Sequence, residues 1–247
     1  MDEFKKICRS TGKAIFDFSM ISEGDKILVC FSGGKDSFVL IRTLLELKKK
    51  YLVNFELKAF TVNPGFDSNF LNLIKHGLKD ESIDFEIYDS QVSDILESEL
   101  EKKKFRPCFL CSRMRRGIIY DYAIKNGFNK VALGHTLNDA IETQMMNMFF
   151  SSKISLLKPK YLAENGRVEV IRPLIYVDED LIVNYVKLVN YEPVKNVCPL
   201  IETDSKRDYF KKVIADLKKN NSQIMENCQH SFSNVKELNS WDFNKNN

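Results

Sequence analysis

Apolar positions along this chain change their period repeatedly. Near the start, Phe4, Ile7, Cys8, Ala14, Ile15 and Phe18 recur at helical spacing and mostly share one face, which predicts a helix over residues 1–20. "KILVCF" (26–31) then carries apolar residues in succession rather than alternation, the mark of a strand buried on both faces. "SFVLIRTLLELKKKY" (37–51) returns to a helical period, and "FELKAFTVN" (55–63) reads as a second strand ended by Asn63-Pro64-Gly65. "SNFLNLIKHGLKDES" (68–82) predicts a helix with Ser or Asn placed to cap it, and "DFEIYD" (84–89) a third strand. "RMRRGIIYDYAIKNGF" (113–128) predicts a helix that stops at Gly127, followed by a strand in "KVALGH" (130–135) and a helix in "LNDAIETQMMNMFF" (137–150). "VEVIRPLIY" (168–176) reads as a strand, and "DEDLIVNYVKLVN" (178–190) as a helix opened by acids.

Strands that alternate with helices imply an α/β fold, a Rossmann-like parallel sheet with helices on both faces. Ligands of such sheets bind outside the carboxyl ends of the strands. The segments after "ILVCF", "KAFTV" and "VALGH" are therefore expected to converge on one site. There is no internal repeat and no low-complexity linker, so a single domain over 1–247 is expected, with an N-terminal helix over 1–20 and a polar C-terminal helix or tail over 220–247.

Composition changes this picture little. The chain has 247 residues, 44% hydrophobic and 29% charged, enough for a substantial core. No apolar run approaches the roughly 20 residues that span a bilayer, and the N-terminal stretch mixes acids and bases early, unlike a signal peptide. A cytoplasmic protein without membrane contact is expected. Net charge is only +3, but its distribution is uneven: Lys102, Lys103, Lys104, Arg106, Arg113, Arg115 and Arg116 stand together without an acid, and a second basic run follows in "KRDYFKKVIADLKK" (206–219). Such runs read as solvated helix faces or as contacts to nucleic-acid phosphates.

The chemistry concentrates first at Ser32-Gly33-Gly34-Lys35-Asp36-Ser37, between the first buried strand and the next helix. The string fits neither the Walker A pattern nor the Rossmann G-x-G-x-x-G. It offers two glycines whose N–H groups can approach a ligand, a helix N-terminus, two hydroxyls and a lysine, all suited to phosphate. Asp36 belongs beside phosphates if it holds Mg²⁺.

A second concentration is "RPCFLCSRMRRG", with Cys108-x-x-Cys111 ahead of Arg115 and Arg116. Of six cysteines, Cys30 lies within the buried strand and reads as core, whereas Cys8 and Cys228 have no motif around them. A lone C-x-x-C fits half a zinc site, a redox pair or part of an iron–sulfur site. Zinc lacks a second close pair, and His76, His135 and His230 each stand alone. Cys198 in "VKNVCPL" is the best distant partner, and three thiolates fit a cluster that leaves one iron without a protein ligand. The neighbouring arginines are expected to favour thiolate.

"SGGKDS" resembles the phosphate loop of the ATP pyrophosphatase superfamily, whose members split ATP between its α and β phosphates. Taken with "CFLCSRMRRGIIYDYA", "VALGHTLNDAIETQMMNMFF", "VIRPLIY", "PVKNVCPL" and "KKVIADL", the chain closely resembles the tRNA 2-thiocytidine synthetase family, from roughly residue 24 to residue 217. The resemblance implies an adenine nucleotide alpha hydrolase-like fold, that of a PP-loop ATPase, and iron–sulfur-dependent tRNA thiolation. It implies ATP at Ser32, Gly33, Gly34, Lys35, Asp36 and Ser37, adenine against Thr61 and Val62, and a nucleotide bordered by Gly134 and His135. It implies a [4Fe-4S] cluster on Cys108, Cys111 and Cys198, with Asp139 serving Mg²⁺ or the transition state and Arg115 or Arg116 neutralising phosphate. Implied partners are tRNA, ATP and a sulfur donor, either sulfide or a cysteine desulfurase, in a homodimer.

The chain also departs from the family. Asn138-Asp139 stands where two acids are usual, Glu142-Thr143 where Gln-Thr is frequent, and Cys198-Pro199-Leu200 where Cys-Gly-Ser-Gln is common. These differences touch the substrate side more than the ATP side. Alternative readings are thiolation or desulfuration of another base or position, a cluster-free adenylating ligase of the same superfamily, or a non-catalytic zinc-holding nucleotide-binding protein.

Overall fold

The computed structural model describes residues 2–50, 53–67, 69–100, 107–164, 166–194, 198 and 206–234. Lys102, Lys103, Lys104 and Arg106 of the first basic run, most of "PVKNVCPL" and the end of the expected C-terminal tail lie outside them.

The sheet comprises β1 (Lys26–Cys30), β2 (Glu56–Asn63), β3 (Asp84–Asp89), β4 (Lys130–Ala132), β5 (Lys160–Leu162) and β6 (Glu169–Ile171). Its order is β3-β2-β1-β4-β6-β5, parallel except that β5 runs antiparallel to β6. Strand order reverses at β1, which pairs β2 on one side and β4 on the other. A crevice therefore opens between the carboxyl ends of β1 and β4, where doubly wound sheets hold their ligands.

The unbroken apolar run of β1 is explained by two cores. Val29 and Ile27 pack to one face with Ala59, Ala132 and Ile171, beneath α1 (Asp2–Asp17), α2 (Lys35–Lys48), α3 (Phe70–Leu78) and α7 (Glu179–Leu188). Leu28 packs to the other face with Phe60, Val131 and Val170, against α5 (Pro107–Lys125). A third, smaller cluster joins α6 (Leu137–Ser151) to α8 (Lys206–Asn220) and α9 (Ile224–Ser233) through Leu137, Ile141, Ile214 and Met225.

Several local expectations are corrected. "VEVIRPLIY" is not one strand: β6 ends at Ile171, and Pro173–Tyr176 forms a 3₁₀ turn, because Pro173 has no N–H for the ladder. Asn69 occupies the N-cap of α3 without a side-chain bond; instead Asp67 Oδ1 accepts the Asn69 N–H at 2.8 Å. α4 (Val92–Leu100) and β5 lie in segments for which no element was expected. α5 spans Pro107–Lys125 and so includes residues upstream of Arg113, which places Cys108 and Cys111 three residues apart on one face of it.

Candidate active site

The phosphate loop leaves β1 and enters α2. Gly34 is the N-cap of α2 and makes no side-chain cap bond, so the first N–H groups of the helix stay available to an anion. Gly33 has φ of +77°, a left-handed backbone suited to glycine, and a Cβ there would meet Val194 Cγ2 at 2.5 Å. The two serines brace the loop: Ser37 Oγ donates to the Gly34 carbonyl at 2.9 Å and accepts the Ser32 N–H at 3.2 Å. Lys35 Nζ is held by Asp36 at 3.0 Å and by Glu179 of α7 at 2.5 Å. Its pKa is raised, because these two carboxylates outweigh the cost of burial.

The loop after β4 closes onto this one. Gly134 lies so near the Asp36–Ser37 peptide that a Cβ would stand 3.1 Å from both Asp36 C and Ser37 N. Next to it, Thr136 and Asp139 form a reciprocal capping box at the start of α6: Asp139 Oδ2 accepts the Thr136 N–H at 2.8 Å, and Thr136 Oγ1 accepts the Asp139 N–H at 3.5 Å. One oxygen of Asp139 is thus structural, and Oδ1 faces Arg207 at 3.5 Å. Asn138 ties α6 to α7 by accepting the Glu179 N–H at 2.9 Å.

These loops line a cavity of about 600 Å³ together with Ser112, Arg115 and Arg116 of α5, Tyr161, Arg172, and Arg207 of α8. Of the residues expected at the site, Ser32, Gly34, Asp36, Ser37, Gly134, His135, Asp139 and Arg115 line it. Gly33, Lys35, Thr61, Val62, Cys108, Cys111 and Cys198 do not. Thr61 is buried, donating its hydroxyl to the Phe31 carbonyl at 2.8 Å, and Val62 belongs to the core against α5. Cys30, read as core, reaches the cavity wall, where burial pushes its thiol up to about 12.

Arg172, Arg207 and Tyr161 were not singled out from the sequence. Arg172 carried one signal, an arginine within an otherwise apolar run, and is only 6% exposed. Arg207 lay in a basic run that looked like a solvated face; its Nε stands 3.3 Å from Glu142 Oε2. Glu142 is 1% exposed, and burial, with Asp139 nearby, pushes its carboxyl up to about 7.

Two donor sets can be tested against this geometry. Asp36 Oδ1 is buried without a hydrogen-bond partner, and the carboxyl is raised by burial, with repulsion from Glu179 and Asp139 adding to it. An orphaned carboxylate oxygen beside a second cavity-lining carboxylate, next to a phosphate loop, fits Mg²⁺, which takes one or two carboxylates and completes its shell with phosphates and water.

The thiol set is Cys108, Cys111 and Cys198, none in a disulfide. Among the described residues no three His, Cys, Asp or Glu side chains stand in a ready-made metal cage. Cys198 and Cys108 nonetheless lie near enough for their charge to push up Cys111. Cys198, distant in sequence, thus comes within electrostatic reach of Cys111, and an all-cysteine set suits an iron–sulfur cluster. The expectation that the arginines leave Cys111 more acidic is corrected: Arg115 does lower its pKa, but burial is larger and the thiol is raised overall. Arg115 Nε is itself buried without a hydrogen-bond partner.

Comparison with known proteins agrees with this geometry. Residues 4–196 match the family described as the PP-loop domain. The tRNA-cytidine(32) 2-sulfurtransferase of Geobacter metallireducens is 34% identical over 237 residues, covering 94% of this chain and 90% of that protein. The protein of the same name from Legionella pneumophila (strain Paris) is 38% identical over 251 residues, covering 97% and 86%. Among solved structures, the U34-tRNA thiolase NcsA from Methanococcus maripaludis with its [4Fe-4S] cluster has the same fold, with a TM-score of 0.74, 23% identity, and coverage of 96% of this chain and 82% of that one. With the phosphate loop at the strand-order reversal and relatives this similar over nearly their whole length, the chain belongs to the tRNA-cytidine 2-sulfurtransferase family of PP-loop proteins.

Proposed function

We propose that this protein replaces the C2 oxygen of a tRNA cytidine by sulfur, at the expense of ATP split to AMP and pyrophosphate. The observation that carries the reading is the shared cavity. The phosphate loop lines it, and so does the segment of α5 that begins one residue after Cys111. Activation of an oxygen and supply of its replacement can therefore act on one base.

The N–H groups at the start of α2 and the Lys35 ammonium hold the departing pyrophosphate. Asp36 and Asp139 would hold Mg²⁺, which would offset the charge of the phosphates. The C2 oxygen attacks the α phosphorus, the α–β bridge breaks, and the base now carries AMP on that oxygen. Arg115, with its unpartnered Nε, neutralises charge that develops there. Cys108, Cys111 and Cys198 would hold a [4Fe-4S] cluster, which would supply the sulfur-delivering chemistry at this end of the site. Sulfur bonds to C2 and the oxygen leaves with AMP. Basic residues of α5 and α8 meet tRNA phosphates, a contact that weakens with salt. The target base is unpaired and can enter the cavity splayed out. The sulfur donor is sulfide or a cysteine desulfurase, and the working form is a cytoplasmic homodimer.

The test is anaerobic. The purified protein, reconstituted with iron and sulfide, is given ATP, Mg²⁺ and tRNA, and nucleosides are analysed by mass spectrometry. Thiocytidine that requires ATP is expected. Its absence from every tRNA tried overturns the reading, and a Cys198→Ala protein that kept its full iron content would overturn the ligand set. Light scattering in solution checks the dimer.

A further inference from the structure

We infer that Arg172 is a positioning residue that locks His135 as a neutral imidazole with its proton on Nε2, and that this N–H is offered to an acceptor oxygen of the bound nucleotide. The second half rests on the cavity holding ATP, as proposed above; the first half does not.

Arg172 follows β6 directly, and its side chain is gripped from three sides. Its Nη1 donates to the Lys158 carbonyl, its guanidinium lies 5.1 Å from the centre of the Tyr161 ring, and its Nε donates to His135 Nδ1 at 3.3 Å. Its own backbone N–H donates to the Pro159 carbonyl at 2.9 Å, fixing the point from which the side chain starts.

Direction decides the tautomer. A guanidinium has only donors, so the nitrogen facing it must carry a lone pair. Nδ1 of His135 is therefore bare, and the ring proton sits on Nε2. A doubly protonated ring would set N–H against N–H beside a buried cation. Burial and Arg172 hold the imidazole down at about 4; Arg207 on α8 acts in the same sense, and Asp139 on α6 opposes them.

Nε2 has no hydrogen-bond partner among the described residues, and His135 lines the cavity next to Gly134, which touches the Asp36–Ser37 peptide. His135 and the phosphate loop thus share one cavity. Neutrality has a purpose here. An imidazolium here would be drawn to Asp139, a carboxylate needed for a cation, whereas a neutral N–H donates to an oxygen and leaves it free. Neutral imidazole donors of this kind are known to polarise substrate oxygens elsewhere.

The experiment uses the full chain labelled with ¹⁵N-histidine and long-range ¹H–¹⁵N spectra at neutral pH. There are three histidines, and a His135→Gln protein identifies the signal. A single tautomer with bare Nδ1 and protonated Nε2 is expected, and a non-hydrolysable ATP analogue should shift Nε2 more than Nδ1. Arg172→Met should leave a mixture of tautomers and weaken analogue binding by about tenfold. Arg172→Lys, which restores a donor, should recover much of both.

A wild-type His135 protonated on Nδ1 overturns the inference without any variant having to fold. An Arg172→Met protein that keeps the pure Nε2–H tautomer overturns the role of Arg172. A locked tautomer whose Nε2 ignores the nucleotide overturns the second half. Failure of tRNA thiolation with these spectra intact would count against the proposed reaction and not against this assignment.

Discussion

Tyr191 donates its hydroxyl proton to the Gly33 carbonyl at 2.8 Å while its ring stacks on Phe38 with centroids 3.7 Å apart. The same carbonyl accepts the Val194 N–H at 2.9 Å. Tyr191 and Val194 are thereby pinned to the phosphate loop. Tyr191→Phe keeps the stack and removes one bond, and the carbonyl retains Val194. A loss of about 0.5–1.5 kcal/mol in denaturant unfolding is expected, with a higher KM for ATP. An unchanged KM would show that the pin does not shape the loop.

Gly134 offers a sharper test. A Cβ there meets backbone atoms of the phosphate loop, which cannot swing aside as a side chain would. Gly134→Ala is expected to cost about 1–3 kcal/mol in stability and more than about tenfold in ATP-dependent activity. Gly117→Ala is the control. It lies inside α5 with nothing within 4 Å of its Cβ, so a gain of about 0.5–1 kcal/mol is expected.

Glu142 predicts a pH dependence. Its folded pKa of about 7 lies above the ordinary 4.5, so between these values the folded protein keeps a proton that the unfolded chain has released. Its contribution to stability is full below about pH 4.5, falls as pH rises, and is lost above about 7. Glu142→Gln removes the titration. Its Tm should exceed that of the wild type by roughly 2–4 °C or more at pH 8, and the difference should shrink toward zero near pH 5. A Tm gap that is the same at both pH values would contradict the assignment.

Glu179 holds the lysine that the phosphates need. Its carboxylate binds Lys35 at 2.5 Å and repels incoming anions, so Glu179→Gln should tighten ATP binding by about 2–10-fold in calorimetry, whereas Lys35→Met should weaken it. Weaker binding in Glu179→Gln would instead make this carboxylate part of the nucleotide site.

The sequence by itself determined what depends on near neighbours. Buried strands showed as unbroken apolar runs because both faces are covered, and "SGGKDS" showed as a phosphate loop because glycines and a helix N-terminus act within a few residues. The Cys108–Cys111 spacing is likewise local, and the resemblance carried Asp139 and His135 to the site. Tertiary structure decided the rest. Sheet order brings the ends of β1, β4 and β6 side by side, so Arg172 meets His135 and α8 brings Arg207 to Glu142. It also turns the side chains of Thr61 and Val62 into the core. Such pairs join residues dozens of positions apart, and no local period records them. They are fixed only when the strands take their order and burial makes each charged group find its partner.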